Sequence, residues 1–130
     1  GFGFESYRDN ASKEIKLIVQ IEHINAINEL DAILQTNGVD GTFIGPYDLS
    51  GSMGKPGNWD DTDVKQALLV YEETVKKYDK WVGFHVIQPD YNLVNEKIKK
   101  GYNFIAFSLD VLFLGTLVRN QVAELKKSNK

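Results

Sequence analysis

Glu22 and Asp48 stand 26 residues apart, each just past a short apolar run. The first run is Ile15-Lys16-Leu17-Ile18-Val19-Gln20-Ile21; the second, Gly41-Thr42-Phe43-Ile44-Gly45, leads into Pro46-Tyr47-Asp48-Leu49-Ser50. Carboxylates are hard oxygen donors, and two that converge can hold a divalent cation. A helical pattern separates the runs, so the sequence predicts strand–helix–strand, with parallel strands and both acids at one end of the sheet. Ligands bind at the carboxyl ends of parallel strands.

Side-chain alternation in the first run puts Ile18, Gln20 and Glu22 on one face. A polar pair ending an apolar face suggests the mouth of a site, although a rim salt bridge or a loop cap explains a single acid as well. The segment from Gly45 to Gly51 reads as a turn whose backbone N–H groups can hold a carboxylate; an ordinary connecting loop is the alternative. Asp90 and Asp110 follow the two later apolar runs, and Asp110 would serve equally as the cap of the last helix. His85 lies within a strand, as a general base or, more commonly for a lone strand histidine, as a packed one. His23 reads as a helix-entry residue. Gly1-Phe2-Gly3 is no dinucleotide fingerprint, since no strand precedes it and Ser6 stands where a third glycine is required. No nucleophile elbow, P-loop or zinc-spaced histidine pair occurs.

Composition narrows the class. The 130 residues suit one domain or part of one. Hydrophobic residues at 42% and charged residues at 25% are ordinary globular values, which argues against disorder. A net charge of −3 with no basic face argues against nucleic acid as a partner. Lys126, Lys127 and Lys130 close the last helix, where cations favour the dipole. The absence of cysteine excludes disulfides, zinc–thiolate sites and thiol catalysis. No apolar stretch approaches the ~18 residues of a membrane span, and no signal peptide is visible. Asn10-Ala11-Ser12 matches a glycosylation sequon by chance. A cytoplasmic protein is expected.

The elements that must position these residues alternate. The first fourteen residues are polar and glycine-containing and read as a connection. Strand one covers 15–21. Its helix covers 26–36, capped by Asn25, with Ala26, Ile27, Leu30, Ile33 and Leu34 as the apolar stripe. Strand two covers 41–45, and a loop runs from Tyr47 to Asp61. Then come a helix over 62–78, a strand over 81–87, a helix over 91–100, a strand over 103–108 and a helix over 111–127. Four βα units mean a parallel α/β architecture. It closes either as an open sheet covered on both faces, as in flavodoxin-like domains, or as a section of a (β/α)8 barrel, which takes about 250 residues.

Val19-Gln20-Ile21-Glu22, the helix from Asn25 to Leu34, and Gly38 through Ser50 resemble the HpcH/HpaI aldolase family of metal-dependent pyruvate aldolases. Gly1-Phe2-Gly3 resembles the end of that family's Arg-Gly-rich loop. Gly83-Phe84-His85-Val86 with Pro89-Asp90, and Gly101-Tyr102 through Ser108-Leu109-Asp110, resemble its last two strands. The resemblance covers nearly the whole chain. It implies a single partial domain over 1–130: four parallel βα units corresponding to strands five to eight, the C-terminal half of a TIM (β/α)8 barrel. It implies Glu22 and Asp48 as ligands of Mg2+, Mn2+ or Co2+. It implies Gln20 as a catalytic neighbour of the bound keto acid, and the backbone N–H groups of Tyr47 and Asp48 as receivers of the pyruvate carboxylate. It implies a lyase that cleaves 2-keto-3-deoxy or 4-hydroxy-2-oxo acids to pyruvate and an aldehyde through a metal-stabilised enolate, working as a homo-oligomer. The position of Tyr47 is usually small in the family, and the family's substrate-binding arginine and His/Asp base pair belong to the other half-barrel. Arg8 and Arg119 sit in no matching motif. A non-catalytic half-barrel that pairs through its open edges is the alternative.

Overall fold

The computed structural model describes residues 3–128. The four apolar runs form four short strands: β1 (Ile18–Ile21), β2 (Gly41–Ile44), β3 (Trp81–Val86) and β4 (Phe104–Phe107). All pairings are parallel and the strand order is β1-β2-β3-β4. A doubly wound sheet reverses its strand order at a switch point. This sheet does not, so the flavodoxin-like arrangement is set aside; sequential order is that of a barrel wall.

Seven helices are described: α1 (Phe4–Glu14), α2 (Ile24–Asn28), α3 (Leu30–Gln35), α4 (Pro46–Ser52), α5 (Thr62–Val75), α6 (Tyr91–Lys99) and α7 (Asp110–Ser128). Helices α2 to α6 supply side chains to the core on one sheet face. Ile21, Ile44, Phe84 and Val86 point to that face and bury against Ile27, Leu30, Leu34, Ala67, Tyr71, Val75 and Tyr102. Burial of these apolar side chains, each contributing about 1.5–3 kcal/mol, holds the helices to the sheet. The opposite face carries Gln20, Phe43, Gly83, His85 and Phe104. Phe104 lies edge-on to Phe43 and parallel to Trp81, with centroids 5.8 Å and 6.3 Å apart. Trp81 and Phe104 stay 43% and 40% exposed, so this face has no cover among the described residues.

Three expectations are corrected. Residues 4–14 form a helix rather than a connection; Phe4, Tyr7 and Ala11 recur at helical spacing within a polar stretch that hid them. The second helix breaks at Glu29, whose φ of −102° and ψ of 14° leave the helical region. It is entered from His23, whose Nδ1 accepts the Asn25 N–H at 3.1 Å, so His23 and not Asn25 is the cap. The expected Tyr47–Asp61 loop begins as α4. Pro46 opens that helix without losing a hydrogen bond, and its serines tie it to neighbouring backbone more firmly than its glycine-rich composition promises. Gly1 and Phe2 of the loop-like opening, and Lys130 of the terminal lysine run, lie outside the described residues. Among the described residues no helix is long and apolar enough to cross a membrane.

Candidate active site

Glu22 follows the last residue of β1, and Asp48 lies in the first turn of α4. Two hydrogen bonds fix these segments to each other. The Gly45 N–H donates to the Ile21 carbonyl at 3.0 Å. The Ile24 N–H donates to Ser52 Oγ at 3.0 Å, and that hydroxyl donates in turn to the Leu49 carbonyl at 2.7 Å. The chain after β1 is thereby clamped onto α4, and both acids come to the carboxyl edge of the sheet.

The carboxyl groups of Glu22 and Asp48 stand close enough to interact by charge and by hydrogen bonding. Partial burial raises the pKa of Glu22 above the ordinary carboxylate value, and the neighbouring Asp48 charge raises it further. Asp40, at the amino edge, behaves oppositely: the Leu17 N–H and then Lys16 hold its pKa down. Among the described residues no ion pair reaches Glu22 or Asp48. Like charges facing one another without a cation are what a divalent ion would relieve.

Gln20 orients the first acid, its Nε2 donating to Glu22 Oε1 at 2.7 Å. Outer hydrogen bonds of this kind fix a ligating carboxylate. Space for the arrangement comes from Gly45. A Cβ there would lie 3.0 Å from Glu22 Cγ and 3.1 Å from its Oε1, closer than ordinary contact. The residues therefore form a cradle with two carboxylates, one orienting amide and a glycine floor. No group of three His, Cys, Asp or Glu converges among the described residues. Two protein carboxylates, with substrate and water oxygens in the remaining positions, suit a hard octahedral cation such as Mg2+.

Tyr47 and Asp48 contribute backbone as well. They follow Pro46 in the first turn of α4, where a helix has no acceptor of its own for N–H groups. The Tyr47 ring turns outward, 52% exposed, and lies 6.3 Å from Trp59. Ser50 Oγ donates to the Tyr47 carbonyl at 2.7 Å and accepts the Gly57 N–H at 2.9 Å, folding the following loop onto α4.

The remaining candidates have other work. Asp90 caps α6, accepting the Asn92 N–H at 2.8 Å. Asp110 accepts the Val111 N–H at 2.7 Å in the first turn of α7. His85 is half-buried on the uncovered face, 6.2 Å from the Phe43 ring. In the sequence, Gly45 and Ser50 are legible only as members of the carboxylate-holding turn from Gly45 to Gly51, and Ser52 is not. Their role depends on close approach and on bonds to distant backbone, which leave no local signal.

The sequence model described as HpcH/HpaI aldolase/citrate lyase matches residues 3–115. A 2-keto-3-deoxy-L-rhamnonate aldolase of Klebsiella pneumoniae subsp. pneumoniae is 31% identical over 125 residues, which is 96% of this chain and 46% of that protein. The crystal structure of an HpcH/HpaI aldolase/citrate lyase family protein from Burkholderia cenocepacia J2315 superposes with a TM-score of 0.87 at 30% identity, over 96% of this chain and 48% of that one. An HpcH/HpaI aldolase from Desulfitobacterium hafniense DCB-2 gives 0.81 at 25% identity, over 97% and 48%. The chain thus spans about half the length of the relatives it matches, and its parallel sheet is half of a barrel wall.

Proposed function

The chain belongs to the HpcH/HpaI aldolase/citrate lyase family, and from that premise we propose that it carries the metal-holding half of a class II pyruvate aldolase. The reaction is cleavage of a 2-keto-3-deoxy or 4-hydroxy-2-oxo acid to pyruvate and an aldehyde, in the cytoplasm and in a homo-oligomer. The observation that supports this reading best is the nearness of Asp48 to the Glu22 carboxyl group, which Gln20 and Gly45 hold in place.

In this reading Glu22 and Asp48 hold Mg2+, Mn2+ or Co2+. When bound, the cation supplies Lewis-acid stabilisation of the negative charge that develops on the keto acid. Gln20 keeps the Glu22 carboxylate in one orientation and lies beside the keto acid. The Tyr47 and Asp48 N–H groups receive the substrate carboxylate, which the positive end of α4 favours. The base that moves the hydroxyl proton is assigned to none of these residues.

Titration with Mn2+, read by electron paramagnetic resonance, tests the assignment. Saturable binding to the native chain and at least tenfold weaker binding to Glu22→Gln are expected. Equal binding by both proteins removes the metal site and the aldolase reading with it. A second reading, a non-catalytic module that pairs through its uncovered face, is favoured by the exposure of Trp81 and Phe104. It predicts self-association that metal does not change.

A further inference from the structure

A cavity of about 510 Å3 opens at the carboxyl end of β3, between α4 with its following loop and α6. Pro46, Tyr47, Trp59, Leu68, Phe84 and Leu93 supply apolar walls, and Lys97 of α6 lines it together with His85 and Gln88. This volume lies in the range of small-molecule sites, which pair mostly apolar walls with a few polar groups. Tyr47 and Trp59 pack against each other at one end, tilted, with ring centroids 6.3 Å apart.

Lys97 is the unusual member. Its Nζ lies 3.7 Å from the Phe84 ring centroid and 5.7 Å from that of Tyr102. Lys97 is partly buried, and that burial lowers its pKa. Among the described residues no ion pair reaches it. The nearby Glu72 is engaged by the Tyr102 hydroxyl at 3.0 Å and by Lys100 at 3.4 Å. A half-buried ammonium held on aromatic faces, with an apolar cavity beside it, is complementary to an anion carrying an apolar body.

We propose that this cavity is a binding site for a small amphipathic monocarboxylate, its carboxylate on Lys97 and its apolar body between Tyr47, Trp59, Leu68 and Leu93. A single ammonium is a point charge suited to one carboxylate, whereas a phosphate draws on several converging donors. Tyr47 is shared with the aldolase reading, which uses its backbone N–H where this cavity uses its ring; Glu22 and Asp48 take no part here.

The test is a titration of the metal-free 130-residue chain with 4-phenylbutyrate, followed by tryptophan emission, beside one with the neutral 4-phenylbutanol. Saturable binding of the acid, at least fivefold tighter than the alcohol, is expected. Trp59→Phe should remove the signal, because the remaining Trp81 lies at the amino end of β3. Lys97→Gln should bring the acid down to the affinity of the alcohol, and Lys97→Arg should restore most of the difference. Equal affinities for acid and alcohol on the unaltered chain would overturn the proposal without reliance on any variant. So would the absence of saturation, or a Lys97→Gln chain that remains folded by circular dichroism and still prefers the acid.

Discussion

At the scale of the residue, the proposed metal site predicts a trade between binding and stability at the acid pair. Glu22 has a raised pKa in the fold, so the fold favours its protonated form. The sign follows: relative to the unfolded chain, Glu22 is easiest to accommodate below the ordinary carboxylate pKa. That benefit is lost as pH rises through the raised value. Glu22→Gln should therefore raise the thermal midpoint of the metal-free chain at neutral pH by about 1–3 °C, the scale of a few tenths of a kcal/mol. The difference should vanish in acid, where native Glu22 is already neutral. Calorimetry at neutral and at acid pH reads it, and a variant no more stable than the native chain at neutral pH would deny the repulsion. The same pair predicts that Mn2+ affinity falls as pH drops through the Glu22 transition, because protons compete for the ligand. Gly45 tests geometry rather than charge. A methyl group at Gly45 would crowd Glu22 Cγ at 3.0 Å, so Gly45→Ala should displace that carboxylate. Mn2+ affinity should fall about tenfold, roughly 1.4 kcal/mol, while circular dichroism stays native. Unchanged affinity would mean that Glu22 gives way freely and that its position is not set by the floor.

At the scale of the element, α5 is joined to the sheet by more than apolar area. Tyr71 is fully buried, its hydroxyl 2.9 Å from Thr42 Oγ1 on β2 and donating to the Gly83 carbonyl on β3 at 3.4 Å. Tyr71→Phe would keep the ring and strand the buried Thr42 hydroxyl, at a cost of about 1–3 kcal/mol. Chemical denaturation reads this, and a loss below a few tenths of a kcal/mol would show that Thr42 finds another partner. Burial also pushes the Tyr71 pKa up to about 12. A raised pKa contributes stability in full below the unfolded value near 10, lost as pH rises toward 12. The share of phenolate absorbance that Tyr71→Phe removes should appear only as the chain unfolds in that window, and its appearance near pH 10 in a folded chain would contradict the shift. These contacts also show what the sequence could disclose. Period-two and helical patterns placed all four strands and α5, α6 and α7 to within a few residues, because each repeats apolar residues at the period of its element, whether that face is buried, as in α5, or left exposed, as in α7. α1 lay hidden because Phe4 and Tyr7 remain 68% and 62% exposed, so little apolar contrast marks it. α4 lay hidden because bonds to Ile24 and Gly57, distant in sequence or made by its serines, stabilise it rather than propensity. The acids were legible as strand-end residues. Gly45 was legible as the start of the Gly45–Gly51 turn, but the space it leaves beside Glu22 was not.

At the scale of the whole molecule, the uncovered sheet face decides behaviour. Helices bury Ile21, Ile44, Phe84 and Val86, while the opposite face presents Phe43, Trp81, His85 and Phe104. Among the described residues β1 pairs with β2 alone and β4 with β3 alone, so both sheet edges are open. Helix α7 adds exposed apolar side chains, with Val111, Leu114 and Leu117 each more than half exposed. Monomers rarely expose contiguous apolar patches beyond a few hundred Å2, and open edges invite pairing. The 130-residue chain in isolation should therefore self-associate at micromolar concentration, and it should do so whether or not metal is present. The sheet face and α7 are separate contributors that substitution can separate. Trp81→Lys with Phe104→Lys places two charges on the sheet face without touching the helix-covered core. It should weaken association at least tenfold, about 1.4 kcal/mol, whereas Leu114→Lys should act only if α7 shares the contact. Sedimentation equilibrium across a hundredfold concentration range distinguishes these cases. A native chain that stays monomeric throughout would show that the aromatic face tolerates water, and the pairing-module reading would fall while the metal site proposed at the acid pair stood unaffected.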